Sequence, residues 1–347
     1  MMRVRRLLVS LIAIVFLFSG TAYAQTDEEL PHAGITPDNP FYFVDVWGKE
    51  IGLFFAFGAE AKAKKALEYA GERLAEAQVM AAKNKPKAVN GATNGYEEYV
   101  AIAIEKLVEV RGKGLDTAEM SELVALATSK HLVVLDGVMD IVPEEAKAAI
   151  GKAKEASMNG HKNALRALAS VNPERATEIN LAAVEGRLNR AKAEADENNT
   201  EGVEDALDEF EVLNEFGEEI SEIAQGLGKD TTTIEQLVGK ATSIHLKVLA
   251  EVLGIVPEQA KAAIERAMEV SVEGHERAVE ALKQKGALGT VPEEAPIPEG
   301  IPDKVKEKIL KPEVPEEEEI EETPKPETPE PKVPETPKPE TPKPPRR

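Results

Sequence analysis

Apolar residues recur along most of this chain at steps of three and four, and the strict alternation of a half-buried strand is missing. Val124, Thr128, His131, Leu135, Val138 and Val142 form one such stripe, which fits one face of a helix with 3.6 residues per turn. A second stripe follows a proline break: Ile150, Ala153, Ser157, His161, Ala164 and Leu168. The first stripe returns 114 residues later as Val238, Thr242, His245, Leu249, Val252 and Val256. The second returns with Ser271 and His275 in the places of Ser157 and His161.

The repeat extends beyond these stripes. At the same ungapped offset, residues 63–170 align with 177–284, pairing Arg73 with Arg187, Tyr96 with Phe210, Tyr99 with Leu213 and Glu105 with Glu219. Internal similarity at a fixed offset signals two units of one architecture. Each unit reads as four helices, placed in the first unit near 60–84, 92–111, 117–141 and 143–169. Asn84-Lys85-Pro86 and Asn90-Gly91 interrupt the pattern. Gly112 and Gly114 fit a left-handed C-cap, and Asp116 with Glu119 reads as a capping box. Pro143, Pro257 and Pro173 suit the first helical position. The fold expected is all-α, two tandem four-helix bundle-like units over 34–170 and 173–286. The glycine pairs "GKGLD" and "GLGKD" read as helix caps, because no strand precedes them and the phosphate-loop spacing is missing. Arg73 with Glu105, and Arg187 with Glu219, are candidates for pairing between the first and second helices of each unit.

Ahead of the first unit lies "HAGITPDNPFYFVDVWGKEIGLFFAF", and seven of the chain's fifteen aromatic residues fall between Phe41 and Phe57. Val44, Trp47, Ile51 and Phe54 share one helical face. Two readings stand: a surface helix for a membrane or partner, or a helix that supplies bulky side chains to an alanine-rich bundle. The second is taken, because exposed aromatic patches of this size are rare. The start "GITPDNPFY" (34–42), the "RLAEA" segment (73–77), and the "HLVVLDGVMDIVPEEAKAAI" and "GHKNALRAL" segments resemble an uncharacterised archaeal and bacterial extracytoplasmic domain family. That resemblance covers 34–170 and implies an exported helical fold, with no activity attached. The second unit has no such start of its own.

Charge and the two ends add an address. Arg3, Arg5 and Arg6, an apolar run over 7–18 and Ala22-Tyr23-Ala24 make a secretory signal peptide, with cleavage expected after Ala24. Losing three arginines takes the formal charge from −21 to −24, a surface that disfavours nucleic acid and tolerates divalent cations. There is no cysteine, so an exported chain must rely on its core. No stable membrane span is expected after cleavage. Sixteen of 23 prolines lie in 287–347, and the Thr-Pro-Lys-Pro-Glu theme predicts a disordered tail.

The four paired histidines are the candidate chemistry. Folding the hairpin at 142/143 puts His131 and His161 about 10 Å apart in height, given a rise of roughly 1.5 Å per residue. That is too far for both to ligate one zinc at about 2.1 Å. The reading taken is a buried polar layer that fixes hairpin register: Thr128, His131, Ser157 and His161, repeated as Thr242, His245, Ser271 and His275. In it, Ser157 is the partner expected for His131, and Thr128 for His161. The alternative uses His131, His161, His245 and His275 with carboxylates as an extracytoplasmic metal-binding or metal-sensing site. "DENNTEGVEDALDE" (196–209) has alternating oxygen ligands but misplaces the calcium-loop glycine, so it reads as a helix connection. Asn198-Asn199-Thr200 is an N-glycosylation acceptor. No catalytic nucleophile motif and no cofactor fingerprint stands out. The function expected is a non-enzymatic structural or binding role at the cell envelope, with an unidentified envelope partner.

Overall fold

The computed structural model describes residues 30–287, so the signal peptide expected over 1–24 and all but the first residue of the proline-rich tail lie outside it. Among the described residues there are nine α-helices and no strand. After α1 (Tyr42–Phe54), the first unit comprises α2 (Ala59–Ala82), α3 (Pro86–Gly112), α4 (Ala118–Ile141) and α5 (Glu144–Val171). The second comprises α6 (Pro173–Asp196), α7 (Thr200–Gly226), α8 (Thr232–Leu253) and α9 (Glu258–Gln284). Helices α6 to α9 each begin 114 residues after their counterparts.

In each unit two antiparallel hairpins pack face to face: α2/α3 on α4/α5, and α6/α7 on α8/α9. Within the bundle α2 neighbours α4 and α3 neighbours α5. Alanine lets these helices approach closely, and Gly160 serves the same end where α5 meets α3 and α4. A Cβ there would stand 3.0 Å from the Thr128 methyl and 3.2 Å from Val100; at Gly274, its counterpart, the Thr242 methyl would be 3.5 Å away. The core runs in three layers. One joins the far ends of α2 and α3 to α4 and α5 around Leu74, Tyr96, Leu135 and Ile150. The middle layer crosses between units, adding Ile179, Phe216 and Ile220 to Leu107, Val124 and Leu168. The third fills the second unit around Leu188, Phe210, Leu249 and Ile264.

Helix limits follow local chemistry, with some shifts from expectation. Helix α3 starts at Pro86, six residues before the expected start, because proline at the first turn forfeits only an N–H that would be unbonded there. Asn90-Gly91 is therefore helical. Asn172 caps α6 by accepting from Arg175 N at 3.1 Å. Pro143 stands just outside α5 rather than inside it, and Val142 before it is extended at ψ 144°. Asp116 accepts from Ala118 N at 2.9 Å as a turn, and Thr117, not Asp116, occupies the cap position. Gly114 and Gly228 take φ +68° after α3 and α7. Asn84 and Asn198 take φ +55° and +56° at equivalent points of the two units, a conformation asparagine tolerates better than other side chains.

The units meet along their lengths, with α5 against α6 and α7. Arg187 is buried and bonds Asp136 Oδ2 at 2.6 Å on α4 and Glu209 Oε2 at 2.7 Å on α7. Lys154 on α5 bridges the same two carboxylates, each at 2.7 Å. Arg175–Glu122 at 2.8 Å, Arg190–Asp140 and Arg166–Glu219 continue the seam. The pairings expected within each unit, Arg73 with Glu105 and Arg187 with Glu219, are not formed. Each arginine keeps one carboxylate of its own hairpin, Glu76 for Arg73 and Glu209 for Arg187, and adds one from the segment that precedes it, Asp45 and Asp136.

Candidate functional site

The histidine layers lie in the bundle interiors. His131 is buried, and its Nδ1 sits 3.4 Å from the hydroxyl of Tyr96, whose ring meets the imidazole edge-on at 5.4 Å between centroids. Tyr96 donates to Ser157 Oγ at 2.8 Å, and Ser157 donates to the Thr128 carbonyl at 2.8 Å. Ser157 is thus held by Tyr96 and the α4 backbone rather than by His131. Thr128 Oγ1 returns to its own helix, donating to Val124 O at 2.7 Å. His161 Nδ1 lies 2.9 Å from Ala125 O. A carbonyl only accepts, so Nδ1 carries the proton and Nε2 is left as a buried acceptor without a partner.

The second unit repeats the positions with different bonds. Phe210 stands where Tyr96 does and lacks the hydroxyl. It keeps the edge-on contact to His245 at 5.5 Å, and His245 Nδ1 is buried without a partner. Ser271 turns to Ala267 O at 2.9 Å. His275, half-buried, reaches Thr242 Oγ1 and Gly239 O, both at 3.1 Å. Burial holds His131 and His161 down to about 4, and His245 down to about 3. These imidazoles are neutral near pH 7 and closed off from solvent. Among the described residues no group of three or more His, Cys, Asp or Glu is arranged to hold a metal ion. Sequence reading missed the role of Tyr96, although its pairing with Phe210 across the repeat was visible.

Helix α1 reverses the orientation expected for it. Trp47 is 64 % exposed, Phe54 77 % and Phe57 86 %, and Phe41, Phe43, Val44, Ile51 and Phe55 are exposed as well. The stripe read as core filler faces water. The inner face carries the polar Tyr42, Asp45 and Lys49, with Lys49 only 4 % exposed, beside Val46 and Leu53, the latter packed on the core. Lys49 pairs with Asp45 and, at 2.8 Å, with Glu72. Arg73 bonds Glu76 at 2.6 Å, Asp45 at 3.1 Å and the Tyr42 hydroxyl, and Tyr42 donates to Glu76 at 2.9 Å. Burial pulls the Lys49 amine down, yet its bonds to Asp45 and Glu72 hold it above the ordinary lysine value.

Buried ions bond only in narrow geometries, because an unpaired one is costly. The network on α2 therefore accepts the charged face of α1 and leaves the aromatic face outside. Between α1 and α3 a cleft of about 270 Å³ is lined by Tyr42, Arg73, Asn94, Glu98 and Tyr99. Its one cation, Arg73, is already engaged by two carboxylates.

Among the described residues no helix is long and apolar enough to cross a membrane. Asn198 is exposed in the α6–α7 turn, while its neighbour Asn199 caps α7 by accepting from Gly202 N at 3.2 Å. No curated protein and no solved structure matches the chain. Residues 34–145, which run from before α1 to the start of α5, match the family model described as a domain of unknown function (DUF5667), a description that names no activity.

Proposed function

We propose that this is an exported, non-enzymatic helical protein that works by binding at the cell envelope, with α1 as its binding element and the two bundles as a rigid body behind it. The observation that carries this reading is the outward aromatic face of α1, fixed by buried ion pairs on the opposite face. A soluble domain rarely leaves so large an apolar patch uncovered unless something binds there. The basic and apolar segment over 3–18 with Ala22-Tyr23-Ala24 supports export, and the proline-rich segment supports a spacer role for the tail. The metal-binding alternative is not carried forward, since His131 and His161 take core partners and, among the described residues, no ligand cluster accompanies the histidines.

Cell fractionation of the full chain tests the reading. Recovery outside the cytoplasm, with a mass starting at Gln25 and accessible to protease added to whole cells, is the expected result. Retention in the cytoplasm with the first 24 residues intact contradicts it.

A further inference from the structure

We infer that the aromatic face of α1 lies on the surface of a zwitterionic lipid bilayer; this deepens the binding role proposed above and rests on it. Around the axis of α1, Phe43, Val44, Trp47, Ile51 and Phe54 occupy one outward arc, and Glu50 is the one charged residue at its edge. The other charges of this segment are turned away from that arc. Asp45 and Lys49 are spent on Glu72, Arg73 and Glu76, and Asp38 is paired with Lys83 and Lys85 at 3.3 and 2.7 Å. Phe55 and Phe57 continue the ridge past the end of the helix, and Phe41 precedes it. Tryptophan and phenylalanine on one face of a short helix are the composition of an element that lies in the headgroup region.

Size and charge favour lipid over a second copy of the chain. A helix of 13 residues is about 20 Å long at roughly 1.5 Å per residue. Its single exposed face offers a few hundred Å², well below the roughly 800 Å² per partner of a stable protein interface. A bilayer takes up such a ridge without a matching groove. Two copies would also bring together chains of formal charge −21, whereas a zwitterionic surface carries no net charge to oppose it.

Trp47 is the chain's only tryptophan, so its fluorescence reports on α1 and on nothing else, including the apolar run over 7–18. The full chain is mixed with phosphatidylcholine vesicles, with and without brominated acyl chains. The expected result is a blue shift of Trp47 emission and about two-fold or greater quenching by the brominated lipid. Both are lost in the Ile51→Glu, Phe54→Glu double variant, whose helical content and thermal melt stay those of the wild type. Water-like, unquenched emission in the presence of vesicles overturns the inference. So does equal quenching of the double variant, which would mean that another segment carries Trp47 to the bilayer. A blue shift that needs no lipid, rises with protein concentration and resists brominated lipid overturns it in favour of a second copy. None of these outcomes depends on where the cell places the protein.

Discussion

Arg73 and Arg187 stand at the same position of successive units, and each buries its guanidinium against a carboxylate of the segment before its own unit: Asp45 on α1 for Arg73, Asp136 on α4 for Arg187. On the first unit, then, α1 occupies the kind of place that the first unit occupies on the second. This explains why the second unit has no aromatic start of its own. Its docking face is already covered by α4 and α5.

Removing either arginine takes one buried cation from a shared cluster, in which Lys49 remains beside Asp45 and Lys154 remains beside Asp136 and Glu209. Arg73→Met should cost about 3–5 kcal/mol and release α1, seen as faster amide exchange across Tyr42–Phe54. Arg187→Met should cost a similar amount and loosen the seam between units. Urea unfolding with hydrogen-exchange mass spectrometry reads both. Unchanged exchange in α1 after Arg73→Met would show that the ion network does not hold that helix.

Tyr96 and Phe210 make a natural exchange. Tyr96→Phe leaves Ser157 without its donor and His131 without its neighbouring hydroxyl, at about 1–3 kcal/mol. Phe210→Tyr offers a hydroxyl towards the unpartnered His245 Nδ1 and should raise stability by about 0.5–1 kcal/mol. Denaturant midpoints of the two variants should move in opposite directions.

The buried histidines make stability depend on pH. Their folded values, about 4 for His131 and His161 and about 3 for His245, lie below the unfolded value near 6.5. As pH falls below 6.5 the unfolded chain takes up protons that the folded chain cannot. The contribution is therefore full above 6.5 and is lost as pH falls towards 4, by about 2 kcal/mol per histidine between pH 7 and pH 5. Melting temperatures should drop over that range. His245→Leu should flatten the drop and cost little at pH 7, because it removes a buried nitrogen that has no partner. A wild-type melt equal at both pH values would contradict neutral buried imidazoles.

Asn84 and Asn198 hold left-handed turns at matching points. Replacing either by alanine should cost about 1–2 kcal/mol, whether or not Asn198 carries a glycan. Thermal melts of unglycosylated protein test this, and an Asn198→Ala variant as stable as wild type would count against it.

Much of the fold was readable because its causes are local. Period, proline and glycine placed the helices, and the offset of 114 placed the second set against the first. The polar positions facing the interior, such as Thr128 and His161, followed from the same period. The rest depends on partners distant in sequence. The spacing of Val44, Trp47, Ile51 and Phe54 shows that α1 has two faces, but not which one turns inward. That is decided by Glu72, Arg73 and Glu76 on α2, which bind Asp45 and Lys49. Similarly, the repeat sets Tyr96 against Phe210, but the partner of its hydroxyl, Ser157, lies 61 residues away on α5.

The central claim is the outward orientation of α1, and acrylamide quenching of Trp47 in dilute aqueous solution tests it most directly. An indole exposed as this one is, at 64 %, should emit at the long wavelengths of a water-solvated ring and be quenched nearly as readily as free tryptophan. Short-wavelength emission with strong protection from acrylamide in the monomer would place Trp47 inside the bundle and contradict the account.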